Sequence, residues 1–153
     1  MNTKGFVTLP GQQPVWNIAP GRTATLKLQT NQTGESVMVF EEVAPAGTET
    51  PLHLHHHSDE VMCVLSGQFT FKLGEGVTNG GAGACIFMPR GIPHAWKNTG
   101  ADTGRALFIY TPAEAGKFFE EFARLQRPFS LDDPEMEQIL HRAGWENVGP
   151  PPF

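Results

Sequence analysis

The 153-residue chain has little cysteine, no basic run and no long apolar stretch, and each lack narrows what it can do. Its two cysteines, Cys63 and Cys85, sit in the short apolar runs VMCVL and ACIFM. They read as buried thiols acting as small hydrophobes, with a structural disulfide disfavoured in a reducing compartment. The formal net charge is -5, and without a basic run neither nucleic acid nor an anionic membrane is an expected partner. The opening MNTKGFVTLPGQQPVWN has no apolar run of signal-peptide type. No segment is long and apolar enough to span a bilayer, so the expected compartment is the cytoplasm. No phosphate-binding loop or arginine cluster points to a nucleotide or sugar phosphate, and there is no internal repeat. The length fits one domain over residues 1–153, large enough for a real core.

What the chain does have is turn residues. Seventeen glycines and thirteen prolines divide it into short segments, the pattern of an all-β fold. RTATLKLQT (22–30) alternates apolar and polar residues as a half-buried strand does. SVMVFEEVA (36–44) reads as a strand with a polar bend. EVMCVLSGQFTFKL (60–73) reads as two strands meeting at Ser66–Gly67, and GACIFMP (83–89) and RALFIYTP (105–112) as buried strands. Such spacing predicts a sandwich or closed barrel over about residues 20–111.

The pattern changes at Thr111. Thr111 as N-cap, Pro112 at the first helical position and Glu114 form a predicted capping box, after which Phe118, Phe119, Phe122 and Leu125 recur at helical spacing. A second helix is predicted from Asp133 as cap and Pro134 to a stop at Gly144, with Met136, Ile139, Leu140 and Ala143 as its apolar stripe. Neither helix has enough apolar surface for its own core, so both are expected to pack on the barrel over about residues 112–144. NVGPPPF reads as a stiff tail.

The segment HLHHHSDE (53–60) holds four histidines and two acids. On a strand, His53 and His55 point to the same face and both imidazoles reach one ion. A turn at Ser58–Asp59 would return Glu60 to that ion. His94 follows Pro89, Gly91 and Pro93, which set a tight turn that aims its side chain. Three imidazoles and one carboxylate suit one divalent ion, Fe, Ni, Mn, Zn or Cu. A His-x-His pair alone is also compatible with two half-exposed polar residues. His56 and His57 fall in the turn and read as solvated, with His57 sharing the strand parity of His55. His141, on the second helix, reads as a surface residue.

These residues match the two motifs of the cupin superfamily, and the chain resembles a small single-domain cupin. GTETPLHLHHHSDEVMCVLSG (47–67) fills the first motif: glycine, five residues, His-x-His, four residues, glutamate, six residues, glycine. GACIFMPRGIPHAWKN (83–98) fills the second: glycine, five residues, Pro-x-Gly, two residues, histidine, three residues, asparagine. The resemblance implies a double-stranded β-helix, or jelly-roll, barrel with a short C-terminal helical extension. It implies His53, His55, Glu60 and His94 as metal ligands. Cupin barrels often pair, so it also implies a homodimer, and FVTL near the N-terminus is a candidate strand to cover a neighbour's sheet edge.

The C-terminal segment is loosely similar to that of quercetin-dioxygenase-like single-domain cupins. In that family a flavonol is cleaved by dioxygen, and the ligand glutamate doubles as base. Carried over, Glu60 is both metal ligand and catalytic base. A small aromatic or enolic substrate is expected, in a pocket to which Trp96, Phe40 and Met62 are candidates. Three readings stay open: a metal-dependent dioxygenase; a non-redox isomerase, lyase or polyketide-cyclase-like enzyme using the metal as Lewis acid; and a metal- or ligand-binding module without turnover. One fold hosts all three.

Overall fold

The computed structural model describes residues 4–130 and 132–153. Residues 1–3, the start of the segment read above for a leader, lie outside it. Eleven strands fall within the described residues: β1 Val15–Ala19, β2 Arg22–Leu28, β3 Met38–Ala44, β4 Leu52–His55, β5 Asp59–Ser66, β6 Gln68–Leu73, β7 Gly76–Gly81, β8 Cys85–Met88, β9 His94–Asn98, β10 Gly104–Thr111 and β11 Trp145–Gly149. They make two antiparallel sheets, ordered β1-β2-β3-β10-β5-β8 and β11-β4-β9-β6-β7. This is the all-β jelly roll expected from the motifs.

Alternation decides what faces the core. Met38, Phe40, Glu42 and Ala44 of β3 are buried, as are Glu60, Met62 and Val64 of β5 and Ala106, Phe108 and Tyr110 of β10. The polar bend expected in SVMVFEEVA does not form: β3 runs straight through Glu41 and Glu42 in unbroken register with β10. The joint between β5 and β6 passes the chain from one sheet to the other at Gly67. Its φ is +94°, and a Cβ there would lie 2.8 Å from the Cα of Gly104, so glycine is required twice over.

The cysteine expectation is corrected. Cys63 and Cys85 are directly opposed on β5 and β8, with Cα atoms 4.3 Å apart, and form a disulfide. Cys63 has the opposite strand parity to Glu60, Met62 and Val64, so it faces away from the core, and Cys85 is exposed. Phe87, of the same parity as Cys85, is 57 % exposed, so β8 is only half buried.

The helices follow β10. Thr111 is the last residue of β10 rather than a cap, and its hydroxyl donates to Ser36 O. The capping box therefore does not form, and a 3-10 turn at Ala113–Gly116 leads into α1, Lys117–Leu125. α2, Pro134–Arg142, begins as expected, with the Asp133 carboxylate accepting from Glu135 N. Phe118, Phe119 and Phe122 of α1 surround Trp16 of β1 at centroid distances of 5.5, 5.8 and 5.0 Å, and Phe119 stacks on Phe40 at 4.0 Å. The first three residues of the segment read as a stiff tail, Asn147–Gly149, instead belong to β11, which pairs with β4 so that Trp145 opposes His55 and Asn147 opposes His53. No helix among the described residues is long and apolar enough to cross a membrane.

Candidate metal centre

Strand β4 places His53 and His55 on one face, both buried. Strand β9 lies beside it with His94 opposite His53. Strand β5, in the facing sheet, contributes Glu60. One potential ligand atom from each of His53, His55, Glu60 and His94 lies within 4.8 Å of the others, and all four residues are buried. A turn closes the set: Gly91, at φ +76°, donates its N–H to His55 O at 2.8 Å. Arg90 in the same turn grips Asp59 with Nε at 3.0 Å and Nη2 at 2.9 Å, and its backbone N donates to the same carboxylate at 2.9 Å. These bonds hold the Asp59 carboxyl down at about 2. Asp59 thus points away from the cluster, and its contact ties the start of β5 to the turn that aims His94.

The ring orientations suit a cation. His53 Nδ1 lies 2.8 Å from Pro51 O and His94 Nδ1 2.9 Å from Ile92 O. An N–H donated to each carbonyl leaves the Nε2 atoms for the cluster, the usual outer support of a ligand histidine. Glu60 Oε2 meets His55 Nε2 at 2.8 Å and His94 Nε2 at 3.2 Å, so donor atoms from three residues converge. Trp145 stacks on His53 at 4.9 Å and meets the His55 ring edge-on at 4.1 Å, while its own Nε1 donates to Ala115 O. The helical extension thereby braces two of the imidazoles.

The protonation tendencies agree. Burial pushes the Glu60 carboxyl up, but hydrogen bonds from His55 and His94 and their charge outweigh it and hold it well below the usual range. Burial drives His53 well down, helped by the neighbouring His94 and His55. Burial also lowers His55, against the pull of Glu60. For His94, burial opposes but the hydrogen bond and charge of Glu60 prevail, and its value rises. The depressed Glu60 carboxylate and the lowered His53 and His55 are donors in the form a divalent ion takes, while His94 would give up its proton on binding one. The buried cluster fits a cupin metal site.

A cavity opens from His53 and Glu60 between the sheets and under α1 and α2. The space open to the centres of water molecules is about 60 Å³. Trp96 and Phe40 line it together with Phe108, Tyr110, Phe119 and Trp145. Met62, the third candidate, is fully buried but is not among the residues lining the cavity. His56 is exposed and bonds Glu146 at 2.8 Å, and His57 and His141 are exposed, so none of the three joins the cluster.

Sequence reasoning missed Arg22 and Glu42 in the cavity wall. Arg22 Nε donates to Glu42 Oε1 at 2.6 Å, and the guanidinium carbon sits 5.5 Å from the Trp96 ring centroid. Strand parity held the signal: Glu42 alternates with Met38, Phe40 and Ala44, and Arg22 with Ala24 and Leu26. A charged residue on an apolar face calls for a partner. Trp145 had no comparable local signal.

Comparisons with known proteins agree with this construction. The family model for the Cupin domain (Cupin_2) matches residues 39–110. The HTH-type transcriptional regulator PuuR of Escherichia coli K12 is 32% identical over 75 residues, 49% of this chain and 40% of the regulator. The chain thus matches less than half the length of that relative. Among solved structures, KdgF from Halomonas sp. superposes with a TM-score of 0.62 at 16% identity, over 71% of this chain and 94% of that one. An RmlC-like cupin from Shewanella frigidimarina NCIMB 400 gives 0.59 at 18% identity, over 74% and 96%. A predicted oxalate decarboxylase from Thermotoga maritima gives 0.57 at 21% identity, over 59% and 79%. At these identities the structures speak for the fold alone. With complete motifs, a two-sheet barrel and a matching family model, residues 39–110 of the chain form a cupin domain.

Proposed function

We propose that the chain is a metal-dependent cupin enzyme, a dioxygenase acting on a small aromatic or enolic substrate, with His53, His55, Glu60 and His94 holding one divalent ion. The observation that carries the reading is the convergence of four buried donors within 4.8 Å at the end of an aromatic-lined cavity. When bound, the ion supplies Lewis acidity and, if it is redox-active, a route for electrons between substrate and dioxygen.

The chain's own residues do the rest. Trp96, Phe40, Phe108 and Tyr110 exclude water and present ring faces to a flat substrate. Glu60 lines the cavity and uses Oε2 for both histidine contacts; Oε1 has no hydrogen bond among the described residues. Oε1 is therefore the atom that takes the proton of a substrate hydroxyl.

Elemental analysis of untagged protein should find near-stoichiometric divalent metal, lost in a His53→Ala/His94→Ala double variant. Oxygen uptake against a flavonol, diketone and catechol panel then separates the readings. Metal retained by the double variant would sink the site assignment. Turnover without oxygen would move the assignment to a Lewis-acid isomerase or lyase, and metal without turnover on any of these to a binding module.

A further inference from the structure

The wall of the cavity also holds the pair missed in the sequence. Arg22 and Glu42 both line it, the Glu42 side chain 3% exposed and that of Arg22 19%. Glu42 engages the guanidinium through Nε alone. Among the described residues Nη1 and Nη2 have no hydrogen-bond acceptor, and neither is sealed from solvent. Trp96 lies against the guanidinium, 5.5 Å from centroid to Cζ. The arginine is thus held at its Nε edge by an acid and against its plane by a ring, with its terminal fork unoccupied. That fork takes a carboxylate end-on through two parallel N–H···O bonds. Glu49 also lines the cavity; its Oε2 lies 3.0 Å from Lys97 Nζ, and no hydrogen bond or ion pair joins it to Arg22 among the described residues.

We propose that Arg22 is the specificity residue of this cavity and that its substrate is a carboxylic acid, the carboxylate seated on Nη1 and Nη2 while the reacting end lies toward Glu60. This deepens the proposed function and rests on it for the location of the chemistry, though not for the binding of the acid. Glu42 acts on the substrate only through Arg22, as a positioning residue. Burial drives its carboxyl upward against the pull of Arg22, which lessens its repulsion of a second carboxylate nearby.

The test is calorimetric titration of the protein as purified with benzoate and with its neutral isostere benzamide, together with metal content of each sample. Benzoate should bind at least about tenfold tighter than benzamide, the scale of charge-assisted hydrogen bonds. Arg22→Lys keeps a cation beside Glu42 but loses the fork, and should reduce that preference to threefold or less. Glu42→Gln removes the competing charge and should leave the preference intact or raise it. The proposal is overturned if the wild type shows no preference, if Arg22→Lys keeps it, or if Glu42→Gln abolishes it. A preference that disappears on removal of the metal while surviving Arg22→Lys would put the carboxylate on the four-donor cluster and also overturn it. Protein that purifies without metal yet shows the Arg22-dependent preference would remove the metal reading and keep this one.

Discussion

Phe119→Ala is the sharpest probe of how the C-terminal extension is joined to the barrel. Phe119 is 6% exposed, stacks on Phe40 at 4.0 Å and meets Trp16, Phe118 and Tyr110 at 5.8, 5.2 and 6.2 Å. Truncating a buried phenylalanine costs about 3–5 kcal/mol, transfer and cavity terms together. Here the new void merges with an existing cavity that water enters, which lets the site relax and places the cost near the lower end, about 3 kcal/mol. For a chain of this size that is a fall in Tm of about 6–12 °C. Urea denaturation followed by tryptophan fluorescence measures it, with Val77→Ala, at a side chain 60% exposed on β7, as a control expected to stay within about 0.5 kcal/mol. If Phe119→Ala unfolds within that same margin, α1 does not close the barrel in the way drawn here.

Other outcomes are equally specific. Glu60→Gln keeps the side-chain shape and one oxygen donor, so metal content should fall modestly while turnover on the right substrate drops about 100-fold or more; full activity would make Glu60 a spectator. Reducing Cys63–Cys85, or replacing both residues by serine, opens a closure spanning 22 residues. Loop entropy puts the loss at about 3 kcal/mol, and an unchanged urea midpoint would show that the bond does not constrain the unfolded chain. The chain should be a homodimer, with the outer face of the edge strand β8, where Phe87 is exposed, or the N-terminal FVTL segment among the surfaces to cover; light scattering that gives a monomer mass at high concentration refutes it.

The parts of the structure legible in the sequence are those fixed by local rules. Period-two alternation puts His53 and His55 on one face, and the prolines and glycine of PRGIPH make the turn before His94. What was not legible depends on pairing between distant segments. Trp145 falls between the helix stop at Gly144 and the segment read as a tail, and its place shows only when β11 is seen beside β4, with His55 opposite it 90 residues earlier. Cys63 and Cys85 look like core thiols because their neighbours are apolar; only the register of β5 against β8 shows that they share the outer face. Thr111 carries a helix-cap signature, yet β10 needs it as a last paired residue opposite Asp59. In each case a tertiary contact outranks a local preference.

Glu42 and Glu60 show why the polar lining reads as function rather than architecture. Both sit at positions whose strand neighbours are apolar, and each is almost fully buried. Burying a paired charge seldom stabilises a fold more than a hydrophobe of the same shape would, because desolvation consumes most of the attraction. The barrel has apolar alternatives at hand: Met62 and Phe40 occupy the equivalent inward positions one step along each strand. Stability alone therefore does not account for Glu42, Glu60, His53 and Arg22 in the lining of one aromatic cavity. The two groups also differ in a way that packing does not require. Glu60 is held ionised by imidazoles, whereas burial pushes Glu42 toward its neutral form despite Arg22. Glu60 and Arg22 line the same cavity, so the carboxylic acid proposed above would meet an ionised acid and a hydrogen-bonding arginine in one space.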